Sequence, residues 1–138
     1  MRERLLALAA FLPLFEEPGF VFGFWHGGEQ VSPGVLAIPY FSPGATASSF
    51  VHMAYDQGWV LTDFNWPAWK GTEEAITLRD NPAALEKASP DQLAKLLTVV
   101  IRQDRFAEGA LNSAFESGLL AAIARRAAEL VEQDDKGS

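Results

Sequence analysis

The most regular pattern in the chain lies in its last third, where apolar residues recur every three or four positions and predict helices. One helical stripe consists of Leu93, Leu96, Leu97, Val100 and Ile101. The residues at 89–92 predict where this helix starts, because a capping serine, a proline and a glutamine in sequence form a capping box. A last helix is predicted from about Ala110 to Glu132, and residues 133–138 are predicted to form a polar tail.

The first half of the chain combines one helical stripe with short alternating segments that predict strands. The apolar positions of residues 5–12 have helical spacing and predict a first helix that ends at Pro13. Residues 20–25 alternate, which predicts a strand with Phe20, Phe22 and Phe24 on one face. A second strand at 35–38 is predicted to pair with the first as a hairpin with a long loop.

Proline, asparagine and glycine mark the boundaries in the middle of the chain. Ser42 and Pro43 predict the N-cap and first position of a helix that ends near Gly58. Residues 59–61 predict a short third strand or an extended linker, residues 67–78 a helix, and Asn81 with the proline after it a short helix.

Together these segments predict one α+β domain over residues 1–132. In it, a small antiparallel sheet of two to three strands packs against about five helices. The C-terminal helices are predicted to form an antiparallel pair.

A block of charged residues interrupts the apolar helical pattern at 102–108. If the helix continued, Asp104 and Glu108 would extend its core-facing stripe, with Arg102 and Arg105 close enough to pair with them or with Glu116. One interpretation is a buried ion-pair network, because bare buried charges are costly. A second is a pocket in which the arginines bind a carboxylate or phosphate and Glu108 or Glu116 acts as a base. A third is a plain solvated face.

Other candidate positions also have two interpretations. Gly109 and Gly118 are unfavourable inside helices, which indicates either close packing or room for a ligand. Trp25 and His26 precede two glycines and could line a ligand pocket, although an ordinary loop-edge position is the simpler reading. The tryptophans at 59, 66 and 69 form core in one interpretation and a partner or dimer surface in the other.

Composition and motifs exclude several classes of function. The chain has no cysteine, which rules out disulfides and thiolate metal sites and favours a cytoplasmic location. A net charge of −7 without a basic stripe argues against nucleic acid and anionic membranes as partners. Two histidines without a nearby carboxylate cluster predict no metal site, and no nucleophile elbow, phosphate loop or cofactor fingerprint is present.

Several segments resemble a family of small bacterial proteins of unknown function. They are residues 11–20, 55–60, 66–69, 102–111 and 116–123. The resemblance spans roughly residues 5–130, and its most specific part is the Arg-Phe-x-Glu-Gly signature that begins at Arg105. Members of that family often have cysteine where this chain has Ala107, which counts against thiol chemistry as a shared activity. The resemblance implies a stand-alone bacterial cytoplasmic domain and no particular reaction, so no catalytic residue is assigned.

These observations favour a non-enzymatic interaction or regulatory module, expected to be a homo-oligomer without a cofactor. The alternative is a small-molecule binder or enzyme acting on an anionic substrate, with Arg102 and Arg105 as the anion clamp and Glu108 or Glu116 as the base. In that alternative Trp25 or His26 would complete the pocket.

Overall fold

A computed structural model describes residues 1–137, apart from the side chain of residue 135, and shows an α+β fold. The helices are α1 (Arg2–Ala9), α2 (Leu12–Phe15), α3 (Ala45–Asp56), α4 (Trp66–Trp69), α5 (Glu73–Asp80), α6 (Pro82–Leu85), α7 (Pro90–Gln103), α8 (Ala110–Glu116) and α9 (Leu119–Gly137). The strands are β1 (Gly23–His26), β2 (Gln30–Ser32), β3 (Val35–Leu36) and β4 (Tyr40–Pro43). The residues predicted to be a polar tail therefore continue α9 as far as 137, and Ser138 lies outside the described residues.

The strands form two short antiparallel ladders, and their pairing differs from the predicted hairpin. β1 pairs with β4, Phe24 lying opposite Ser42, and β2 pairs with β3. We call the segment Gly23–Pro43, which contains both ladders, the β-arm. The prediction that Phe20, Phe22 and Phe24 share one face is wrong, because Phe22 is buried whereas Phe24 is exposed. β1 begins only at Gly23, so strand alternation does not apply before it.

The predicted N-cap is correct for α7 and wrong for α3. The capping box before α7 is confirmed, since the Ser89 side chain accepts from the Gln92 N–H and the Gln92 side chain accepts from the Ser89 N–H. In contrast, Ser42 and Pro43 belong to β4, and Gly44 is the N-cap of α3. Pro43 is tolerated in the strand although it has no N–H, because it and Gly23 form a non-hydrogen-bonded pair, in which no N–H is needed.

Of the two alternatives for residues 59–61, the linker holds, because the described residues form no strand there and the segment is irregular. Trp59 and Val60 are buried without ladder bonds, and the Leu61 N–H donates to Thr98 Oγ1 at 2.9 Å. Thr98 lies fully buried on α7, and its hydroxyl, which has one hydrogen to donate, lies 2.7 Å from the Ala94 carbonyl and 3.2 Å from the Trp59 carbonyl. One hydroxyl therefore replaces a strand partner for this segment.

Two predicted helices are each divided in the structure. The helix predicted at 67–78 is divided into α4 and α5, because Thr72 caps a new helix start by accepting from the Ala75 N–H. The predicted last helix is divided into α8 and α9 at Gly118, whose φ of +87° a helix cannot contain. Asn81 caps the predicted short helix α6, which is confirmed.

The core is built where α1 and α9 pack along each other and where α7 packs against α8 and α9. An aromatic cluster extends it beside α3; its members are Phe11, Phe15, Phe20, Phe22, Phe50 and Phe115. The predicted antiparallel C-terminal pair corresponds to α7 and α9. Ala88, two residues before α7, accepts a hydrogen bond from Arg126, two turns into α9, whereas Leu96 and Val100 farther along α7 line the same groove as Leu119 at the start of α9. None of the helices in the described part of the chain combines the length and apolarity needed to cross a bilayer.

Candidate functional site

The charged block at 102–108 lies where α7 ends, and its first acid caps the next helix. α7 stops at Gln103, so Asp104 and Glu108 do not share one continuous helical face. Asp104 Oδ1 accepts from the backbone N–H groups of Gly109 at 3.1 Å and Leu111 at 3.2 Å. A carboxylate at a helix N-terminus satisfies donors that have no partner within the helix and also favours the helix dipole. Asp104 therefore holds the turn between α7 and α8.

The second acid of the block attaches this turn to the β-arm. Glu108 is exposed and its Oε1 accepts from the Phe41 N–H at 2.7 Å. Phe41 lies in β4, where its N–H points away from β1 and would otherwise be an open edge donor. The expectation that Glu108 points into the core is wrong, because the chain has left the α7 axis before reaching it.

Gly109 packs closely against the β-arm. Its φ is +95°, and a Cβ built on it would lie 2.6 Å from the Trp25 ring. The close-packing interpretation therefore holds for Gly109. At Gly118 a Cβ would meet no atom within 4 Å, so positive φ rather than close packing requires glycine there.

The remaining predicted site residues are not brought together as a clamp. Arg105 is exposed and donates to the Tyr55 hydroxyl at 3.1 Å, and Glu116 accepts from Asn112 one helical turn earlier at 3.1 Å. Arg102 is half-buried on α7, and its side chain has no hydrogen-bond or ion-pair partner within the described residues. His26 is exposed and stacks on Tyr40, with 4.9 Å between ring centroids. The described residues contain no ion pair involving 102–108, so the predicted ion network is wrong.

A groove of about 880 Å³ opens between α5–α6 and α7–α9. Its walls are mainly apolar and include Leu78, Leu85, Leu96, Val100 and Leu119. Its charged lining residues are Lys70, Arg79, Asp80 and Glu108, two of each sign. Of the six side chains predicted to bind a ligand, only Glu108 lines this groove. The balanced charges give the groove no electrostatic preference for an anion.

The tryptophans at 59, 66 and 69 have mostly structural roles. Trp59 is fully buried and Trp69 nearly so, and the Trp69 indole donates to Glu74 Oε1 at 2.7 Å. That hydrogen bond, followed by one from Gln92, lowers the pKa of Glu74 below its ordinary value of 4.5. Trp66 is half-buried and stacks on Phe106, which is largely exposed. The core interpretation therefore holds for Trp59 and Trp69.

Exposed apolar side chains gather on the β-arm, a surface that none of the charged candidate positions indicated. Seven of its side chains are at least half exposed: Phe24, Trp25, Val31, Val35, Leu36, Ile38 and Tyr40. A signal for it exists in the sequence, because Glu29 is the only formally charged residue between Pro18 and Tyr55 in a chain of net charge −7. Interface centres are depleted of charged residues and rich in aromatic ones.

Comparison with known proteins shows which family the chain belongs to. Residues 1–133 match the family described as "Family of unknown function (DUF6508)". The chain belongs to this family. No curated protein and no solved structure matches the chain. Within the described residues, no three histidine or carboxylate side chains gather as a metal site.

Proposed function

We propose that this member of the family is a non-enzymatic interaction module that forms a homo-oligomer through its β-arm. The observation that carries the proposal is the exposed apolar surface of the arm. Contiguous exposed apolar patches of several hundred Å² on a soluble protein mark interaction sites. The resemblance to small bacterial proteins and the lack of cysteine support a bacterial, cytoplasmic protein as part of the same proposal.

The arm is suited to partner contact because it is a weakly supported element. Two-stranded ladders are marginally stable alone and need a packing surface for their apolar side chains. One face of the β1–β4 ladder obtains this at Gly109, against which Trp25 packs. The exposed side chains of the rest of the arm gain the same stabilisation if a partner covers them.

Sedimentation velocity of the full chain, over micromolar to near-millimolar concentration, tests the proposal. We expect association in the unmodified chain and its loss when Leu36 and Ile38 are both replaced by serine. The matched control replaces Leu6 and Leu14, which are exposed apolar residues outside the arm, and should leave association unchanged. A monomer at every concentration, or equal association of the two double variants, would refute the proposal. Circular dichroism checks that each variant is folded.

A second candidate function, small-molecule binding, is favoured by the groove. Its volume of about 880 Å³ is within the range of ligand pockets, roughly 300–1,000 Å³. Arg102 and Arg105 do not line it, so an anionic substrate held by these arginines would need a different surface from this groove. Thermal-shift screening with small-molecule metabolites tests binding in the groove. Stabilisation of the unmodified chain that is lost in Arg79→Ala, a lining residue, and kept in Arg102→Ala would support it.

A further inference from the structure

We propose that two copies of the chain associate through the outer edge of β1, with Phe24 of each copy opposite Phe24 of the other. The two β1–β4 ladders would then form one continuous four-stranded antiparallel sheet across a twofold axis. This inference rests on the proposed homo-oligomer and specifies how it is built.

The first argument is that β4 has a covered edge whereas β1 has an open one. On β4, the outward N–H of Phe41 donates a hydrogen bond to the Glu108 carboxylate. Phe41 pairs with Trp25, so this is a non-hydrogen-bonded pair and the Trp25 N–H and C=O point outward on the other side of the ladder. The same alternation turns the backbone groups of Gly23 outward. β1 packs extensively against β4 alone, and open edges of this kind are templates for strand pairing.

The register follows from which groups are open. Only Gly23 and Trp25 present outward donors and acceptors within β1, and both are used when Gly23 of one copy pairs with Trp25 of the other. Phe24 of one copy then lies opposite Phe24 of the other, on the exposed face of the ladder. Cross-strand aromatic pairs at such positions stabilise antiparallel sheets. This register also directs the tip of each arm, with exposed Leu36 and Ile38, toward the body of the other copy.

The apolar area of the arm is sufficient for a dimer. The exposed fractions of the seven arm side chains run from 50% for Val35 to 85% for Ile38. An aromatic side chain offers about 150–250 Å² and an aliphatic one about 60–120 Å², which at these exposed fractions amounts to roughly 400–700 Å² exposed. A standard interface buries about 800 Å² per partner, of which somewhat more than half is apolar. Taken over both of its faces, the arm therefore exposes about as much apolar area as such an interface contains.

Charge favours a second copy over a charged partner. A surface shared by two molecules of net charge −7 must keep like charges apart, and the arm carries only Glu29. An acidic or basic partner would instead require complementary charges that the arm lacks. A self-complementary, nearly uncharged edge is what a twofold interface needs.

Cysteine cross-linking tests the register, and the cysteine-free chain gives it no background. In a non-hydrogen-bonded antiparallel pair the Cβ atoms are close enough for a disulfide. We expect Phe24→Cys to form a covalent dimer under mild oxidation. Ile38→Cys is the matched control, because this position is more exposed than Phe24 and would react faster if chance collisions were responsible.

A second measurement keeps Phe24 in place, in case its loss weakens association. A nitroxide on His26→Cys should give an intermolecular distance of roughly 15–25 Å, because the two positions are four strand residues apart along neighbouring strands. Association of the unmodified chain, with neither a Phe24→Cys dimer nor this distance, would overturn the β1 pairing while the homo-oligomer stood. A monomeric unmodified chain would overturn both. Either the selective cross-link or the short distance supports the pairing.

Discussion

Replacement of Gly109 by alanine should destabilise the protein more than the same change at Gly118. Both glycines have positive φ, +95° and +87°, so each substitution incurs the left-handed penalty of about 1–2 kcal/mol. Only at Gly109 would the new methyl group meet another residue, the Trp25 ring at 2.6 Å. The ring must then move away from α8.

The additional cost follows from the burial of that ring. Trp25 is 53% exposed, so about half of its roughly 150–250 Å² is buried. Full displacement would lose about 100 Å², or about 2.5 kcal/mol at ~25 cal/mol per Å². We therefore expect Gly118→Ala to cost about 1–2 kcal/mol and Gly109→Ala about 2–4 kcal/mol.

Urea denaturation of the two variants measures the difference in the free energy of unfolding. Repeating both substitutions in a Trp25→Ala background completes a double-mutant cycle, in which the excess cost at Gly109 should disappear. Equal costs at the two glycines would refute the reasoning, as would an excess at Gly109 that survives the loss of Trp25.

Three further predictions address polar contacts. Thr98→Val keeps the shape but removes the buried hydroxyl, and should cost about 1–3 kcal/mol in urea denaturation because it leaves backbone groups unsatisfied. Glu74→Gln should lower the Tm at neutral pH by weakening the hydrogen bond from Trp69. Because folding lowers the pKa of Glu74, the contribution of its carboxylate to stability is complete above pH 4.5 and declines as the pH falls below that value. Glu108→Ala should speed hydrogen exchange at the Phe41 amide by roughly fivefold, since it removes the acceptor of that N–H.

Each of these predictions has a control and a contradicting result. Thr98→Ser retains the hydroxyl, so a serine variant less stable than the valine variant would contradict the role given to it. A Tm difference for Glu74→Gln that stays constant down to pH 3 would show that its ionised form contributes nothing. Glu108→Gln retains an acceptor oxygen, and exchange at Phe41 as slow in Glu108→Ala as in Glu108→Gln would mean that the side chain does not hold the arm.

Part of the charged block was predictable and part was not. The sequence indicated that residues 102–109 break the helical pattern, and they do so where α7 ends. The roles of the acids could not be read from spacing, because the partners of Glu108 and Gly109 lie about 70 to 85 residues earlier in the chain, at Phe41 and Trp25. The same holds for Thr98, whose partner segment at 59–61 is remote in sequence.

The sequence alone determined those features whose energy arises within one or two helical turns. The capping box at Ser89, the apolar stripe of α7 and the start of α6 at Asn81 depend on residues at most a few positions apart, so a pattern suffices. Tertiary structure decided the pairing of β1 with β4 and the exposure of the β-arm. Strand pairing and burial depend on which distant surfaces meet, and the same alternating residues are compatible with several pairings until the rest of the fold selects one.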